Sequence, residues 1–162
     1  MSIIDILKEH CSDYGIEFNQ DLAEKLEIYG RLLKEWNDKI NLTAIKDDEG
    51  IAVKHFLDCL LVSKVTDFKN GMKVIDVGTG AGFPGLVIAA AYPDVNVTLL
   101  DSTGKKLKAV ENMADFGDPA GVPGCSAVSG GYPEVQPRRQ PDHRRYGGHR
   151  SGSGVWPGLE NV

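Results

Sequence analysis

The chain has 162 residues, 41% hydrophobic and 25% charged, proportions of one soluble globular domain. Its three cysteines (Cys11, Cys59, Cys125) form no CxxC pair, which argues against a disulfide framework or a metal site, and no stretch approaches the ~20 apolar residues of a membrane span. The net charge of -5 leaves any contact with nucleic acid to local Lys clusters, and Asp5, Lys8 and Glu9 interrupt the apolar run of a signal peptide, so a cytoplasmic protein is expected.

Ser2 to Tyr14 carries Ile3, Ile4, Ile6, Leu7 and Cys11 near helical spacing, with Ser2 and Asp5 suited to its start and Gly15 to its end. Asn19 or Asp21 can cap a second helix to about Trp36, whose apolar stripe is Leu22, Leu26, Tyr29, Leu33 and Trp36. Trp36 continues that stripe and reads as core. A third helix is expected from Asp48 to Val65, with Val53, Phe56, Leu57, Leu60 and Leu61 inward. The period then changes. Lys73 to Val77 reads as a strand between Gly71 and Gly78, Phe83 to Tyr92 as a helix, Val95 to Leu100 as a second strand and Thr103 to Asp115 as a helix. That alternation is the βαβ rhythm of a parallel sheet. Residues 1–66 are expected to form a helical cap and 67–115 the first half of the α/β domain.

The composition shifts near Asp115. Every Lys lies at or before Lys108, whereas all Arg but Arg31 fall between Arg138 and Arg150. Residues 116–162 hold 10 of the 19 Gly and 6 of the 8 Pro. Such a segment buries too little apolar surface to offset its chain entropy. It reads either as a natural disordered tail or as the product of a reading-frame shift near residue 115, since out-of-frame GC-rich codons exchange Lys for Arg and enrich Gly and Pro.

Between the two strands runs Asp76-Val77-Gly78-Thr79-Gly80-Ala81-Gly82-Phe83-Pro84-Gly85. Glycines at alternate positions permit a tight turn with bare main chain, which a ligand can approach. Asp101, at the end of the next strand, stands where such folds place an acid on ribose hydroxyls. Gly80, Gly82 and Gly85 also match the dinucleotide GxGxxG, a weak signal alone. Two features favour S-adenosylmethionine. Asp76, two residues before the first Gly, could hold the ammonium of the methionine moiety. Phe83 and Pro84 crowd the place where a pyrophosphate would want free N–H groups.

Four segments occur in order: Trp36-Asn37-Asp38-Lys39-Ile40-Asn41-Leu42-Thr43, Val53-Lys54-His55-Phe56-Leu57-Asp58, the glycine loop, and Leu99-Leu100-Asp101-Ser102 followed by Lys105-Lys106. Together they resemble the bacterial small-subunit ribosomal RNA methyltransferase G, or GidB, family, over about residues 1–115. The resemblance implies an α/β, Rossmann-like class I S-adenosylmethionine methyltransferase fold with an N-terminal helical cap, incomplete after residue 115. It implies methylation of guanine N7 in small-subunit (16S) ribosomal RNA, with Gly78, Phe83 and the Asp101-Ser102-Thr103 segment on the cofactor. The family's later Ala-Glu pair and its Ala-Arg-Ala sequence do not occur after Asp115, so no role passes to Arg138–Arg150.

Guanine N7 has a lone pair and no proton, so no catalytic base is expected and no catalytic residue is assigned. Asn41, Lys54, His55 and Asp58 are the candidates for the RNA-facing side, with His55 and Asp58 on one helical face or forming a local cap interaction. Lys34, Lys39, Lys46 and Lys54 either contact phosphates or form a solvated face. Lys105 and Lys106 are expected to cover a helix surface. The partner implied is ribosomal RNA or the small ribosomal subunit, met by a monomer. Alternatives are a nicotinamide- or flavin-dependent oxidoreductase on the same loop and an inactive truncated or frameshifted product.

Overall fold

Capping decides where the first two helices start. The computed structural model describes residues 1–116 and 125–129. In it, the Ser2 hydroxyl accepts the Asp5 N–H while the Asp5 carboxylate accepts the Ser2 N–H, opening α1 (Ile3–Asp13) with a capping box. Asn19 Oδ1 accepts the Leu22 N–H and opens α2 (Gln20–Ile40). Helix α2 passes the expected end at Trp36 by one turn. It stops at Asn41, whose backbone takes the left-handed conformation (φ 50°) that Asn tolerates at a helix end.

The segment expected as one α-helix from Asp48 to Val65 changes pitch three times. It comprises α3 (Asp48–Gly50), a π-helical stretch Ile51–Leu57, α4 (Asp58–Leu60) and a 3₁₀ turn Leu61–Lys64. Ile51, Ala52, Phe56 and Leu57 are all buried. These apolar pairs stand five residues apart, the interval that i→i+5 winding keeps on one face. Val53 and Leu61, expected inward, are only half-buried.

The sheet follows the expected rhythm. Strands β1 (Lys73–Val77) and β2 (Asn96–Asp101) pair in parallel, joined through α5 (Gly85–Ala91), and α6 (Gly104–Ala114) follows β2. A third strand, β3 (Cys125–Ser129), pairs in parallel with β2, giving the order β1-β2-β3. The expectation of no ordered element beyond Asp115 therefore does not hold for these five residues. Composition over the long segment hides them: the free edge of β2 offers backbone partners to a short stretch of small side chains. The remainder of the tail, with its arginines and the proposed frame shift, lies outside the described residues.

Both α5 and α6 contact β2, and α2 contacts both helices and α1. One continuous core therefore runs from the cap into the sheet, with Leu7, Leu26, Tyr29, Phe56, Leu86, Leu99 and Met113 fully buried. Val97 and Leu99 of β2 face this core. On the opposite face Ile75, Val77 and Val128 are 61%, 52% and 46% exposed, so among the described residues that side of the sheet is uncovered. None of the described helices is long and apolar enough to cross a membrane.

Candidate cofactor-binding site

Three consecutive needs shape the loop between β1 and α5. The chain must turn sharply off the sheet, start a helix, and leave main chain accessible. Gly78, Gly80 and Gly82 take φ of 79°, 59° and 103°, values that side-chain-bearing residues rarely adopt. They serve different purposes. A Cβ on Gly80 would find only the Gly78 carbonyl oxygen, at 3.9 Å, so open space lies beside this residue. A Cβ on Gly82 would stand 2.6 Å from Leu86 Cδ1 and 2.7 Å from the Tyr29 hydroxyl. The side of Gly82 where a Cβ would stand is filled by Leu86 and the Tyr29 hydroxyl, so only its main chain is left for any ligand.

Two carboxylates hold the loop. Asp76 Oδ2 accepts from the Thr79 hydroxyl at 2.7 Å and from the Gly85 N–H at 2.9 Å. One oxygen of Asp76, expected to meet a ligand ammonium, is thus committed to the loop itself, while Oδ1 has no hydrogen-bond partner among the described residues. Asp101 does point at the bend. Its Oδ2 accepts the Gly80 N–H at 2.9 Å and its Oδ1 the Thr103 N–H at 2.8 Å. Burial pushes this carboxyl up, but the N–H groups of Thr103 and Gly80, the Thr103 hydroxyl and the Lys106 charge outweigh it and hold the carboxyl below its ordinary value. Each oxygen retains a lone pair for a sugar hydroxyl. Ser102 and Thr103 are exposed beside it. Lys106, expected merely to cover a helix surface, contributes to the field at Asp101.

The N–H groups of the loop decide what kind of ligand it suits. Gly78 and Thr79 donate to the Leu100 carbonyl, Gly82 and Phe83 to that of Thr79, and Leu86 to that of Gly82. With Gly80 and Gly85 donating to Asp101 and Asp76 and Pro84 having no N–H, only Ala81 keeps an uncommitted donor among the described residues. A dinucleotide loop presents several such donors to its pyrophosphate. This loop does not, and two carboxylates flank it.

The cap reaches the same loop. Tyr29, fully buried on α2, donates its hydroxyl to the Ala81 carbonyl at 2.8 Å, and its ring stacks on Phe83 at 5.3 Å. His55 stacks on Phe83 from the π-helical stretch, with centroids 4.5 Å apart and planes 12° from parallel. Its Nε2 lies 2.8 Å from the Thr43 hydroxyl. Burial lowers the His55 pKa, partly offset by Asp58. Phe83, placed on the cofactor by the resemblance, has its ring against the cap and its N–H in the turn.

The other candidates lie at the cap surface. Asn41 is the left-handed residue ending α2, while Lys54 and Asp58 are exposed. The His55 and Asp58 side chains share no hydrogen bond; the Asp58 backbone N–H donates to the His55 carbonyl, and the Asp58 charge acts on the imidazole. Lys34 pairs with Asp48, and Lys39 lies over the Trp36 ring at 5.0 Å. Lys34 and Lys46 line a cavity of about 200 Å³ beside buried Asn37, whose Oδ1 accepts the Thr43 N–H. Sequence reasoning missed the polar roles of Tyr29, Thr43 and Thr79. Only Tyr29 carried a signal: a phenol in an otherwise aliphatic helical stripe needs a buried partner. Among the described residues no group of three or more His, Cys, Asp or Glu could hold a metal ion.

The family model described as rRNA small subunit methyltransferase G (GidB) matches residues 22–117. A protein of that name from Clostridium perfringens (strain SM101 / Type A) is 51% identical over 115 residues, covering 71% of this chain and 48% of the relative. Others so named are 50% identical over 107 residues in Clostridium beijerinckii, covering 66% and 45%, and 44% identical over 114 residues in Clostridium tetani, covering 70% and 48%. The chain spans about half the length of the curated relatives it matches. The match takes in the cap from α2 onward, the glycine loop and the Asp101 strand end, and by it the chain belongs to the rRNA small subunit methyltransferase G family.

Proposed function

We propose that the bend at residues 78–82 and the end of β2 hold S-adenosylmethionine, and that the protein uses it to methylate N7 of a guanine in small-subunit ribosomal RNA. The observation that carries this reading is the commitment of nearly every loop N–H to protein acceptors, with Asp76 and Asp101 on either side. Such a site penalises a pyrophosphate and favours a nucleoside bearing sulfonium and ammonium charges. Gly78 and Gly80 would meet the ligand through main chain, and the free Asp76 oxygen its ammonium. Asp101 would take the ribose hydroxyls, and Ser102 and Thr103 the adenine end.

The cofactor supplies an activated methyl group. Since N7 carries no proton, the chain's own residues need only align the base with the donor and exclude water. The base must be splayed out of folded RNA to be reached. The exposed Lys54 and Asp58 of the π-helical segment, with Asn41, Lys39 and Lys46 nearby in sequence, would face that RNA, while His55 would act from behind through Phe83. On this reading the fold is the Rossmann-like class I methyltransferase type with a helical cap, working as a cytoplasmic monomer. Calorimetric titration of the chain tests the cofactor reading: S-adenosylhomocysteine should bind and NAD should not. Binding of NAD alone would overturn it. Methyl transfer to undermethylated small subunits tests the substrate.

A further inference from the structure

Tyr29 lies on a cap helix, 52 residues from its hydrogen-bond partner in the glycine loop. Its ring is enclosed by Phe56, Phe83 and Phe116 at 5.2, 5.3 and 5.9 Å, a setting in which phenylalanine would fill the same space. The hydroxyl is therefore the informative atom. Burial raises the Tyr29 pKa well above its usual value, so the group stays a neutral donor, and its acceptor is the Ala81 carbonyl. The fit is mutual, because only a glycine at 82 leaves room for that oxygen. The bond fixes the peptide leaving Ala81, while Asp101 fixes the peptide entering Gly80. Between these two anchors stands the Ala81 N–H, the one uncommitted donor from residue 78 to 86 among the described residues.

We infer that Tyr29 is a positioning residue for the methyl donor: by holding the Ala81 carbonyl it presents the Ala81 N–H to the carboxylate of the ligand's amino-acid end. The inference rests on the cofactor reading above and deepens it. A charged acceptor needs a donor, and the loop offers no other. The consequence is specific to one part of the ligand. Loss of the hydroxyl should weaken ligands that carry the amino-acid carboxylate and spare those that lack it.

The test compares S-adenosylhomocysteine with 5′-methylthioadenosine, which lacks the amino-acid carboxylate and ammonium, on the full chain and on Tyr29→Phe. The variant should lose about tenfold in affinity for S-adenosylhomocysteine, the worth of one hydrogen bond to a charged group, and change little toward methylthioadenosine. General loosening of the core would weaken both alike, and that result overturns the inference, as does unchanged affinity for both. Failure of the unsubstituted chain to bind either ligand would instead sink the cofactor reading. Should Tyr29→Phe not fold, replacing tyrosine by 3-fluorotyrosine keeps the ring and sharpens the donor. The affinity ratio of the two ligands must then move, and a constant ratio counts against Tyr29.

Discussion

The glycine loop and the cap segment 41–58 both carry candidate ligand contacts, and they are built on opposite plans. Much of the loop is fastened locally, since Asp76 holds Thr79 and Gly85 and Thr79 holds Gly82 and Phe83, all within ten residues, while Asp101 and Tyr29 anchor Gly80 and Ala81 from outside. The cap segment is placed by others. His55 is held by Phe83 from across the core, and its nearest chain partner, Thr43, is brought near by the end of α2 at Asn41. A segment fastened mostly from within keeps more of its shape when neighbours change, whereas a segment placed by others transmits what happens to them.

The largest expected effect breaks the loop's contact with the cap. Gly82→Val puts a branched side chain at φ 103° against Leu86 and the Tyr29 hydroxyl. It should cost about 3 kcal/mol or more, seen as a large fall in thermal unfolding temperature. Gly80→Val sharpens the contrast. With open space beside it, the variant should fold at a cost of about 1–2 kcal/mol for the left-handed backbone, yet fail to bind S-adenosylhomocysteine. Binding equal to that of the unsubstituted chain would show that the ligand does not approach there.

Asp101→Ala comes next. The sequence alone suggests a loss of cofactor affinity without a cost in folding. Two N–H groups that the carboxylate satisfies are orphaned, so denaturant unfolding should also register about 2 kcal/mol of lost stability. Because the folded carboxyl titrates below 3.8, its contribution is complete above that pH and disappears as pH falls through the folded value. The smallest effect belongs to the cap. The folded His55 titrates below 6.5, so the unfolded chain takes up more protons as pH drops from there, and stability declines from 6.5 downward. His55→Phe retains the stack on Phe83 and should flatten that part of the stability–pH profile. An unchanged profile would assign the titration to another group.

How much was legible in sequence follows the same division. The β1 and β2 strands, the turn at alternating glycines and the acid at the strand end were readable, because periodicity and spacing express local geometry directly. Asp101 was correctly aimed at the bend, but its two backbone partners were not foreseen, since spacing does not say which groups a carboxylate will satisfy. The π-helical stretch had a signal in the apolar pairs five residues apart, Ile51-Ala52 and Phe56-Leu57, which helical spacing alone obscured. β3 escaped because a short strand is decided by the edge it pairs with rather than by its own composition.

Periodicity and glycine spacing already imply that residues 72–101 turn on bare main chain between two parallel strands and place a carboxylate beside the turn, because glycine reaches those backbone angles at little cost and the β-branched run suits a strand. Packing across the core decides that Gly82 leaves room for the Tyr29 hydroxyl and that His55 stacks on Phe83. Those choices depend on groups that meet from far apart in the chain, and packing settles them where local propensity has no preference.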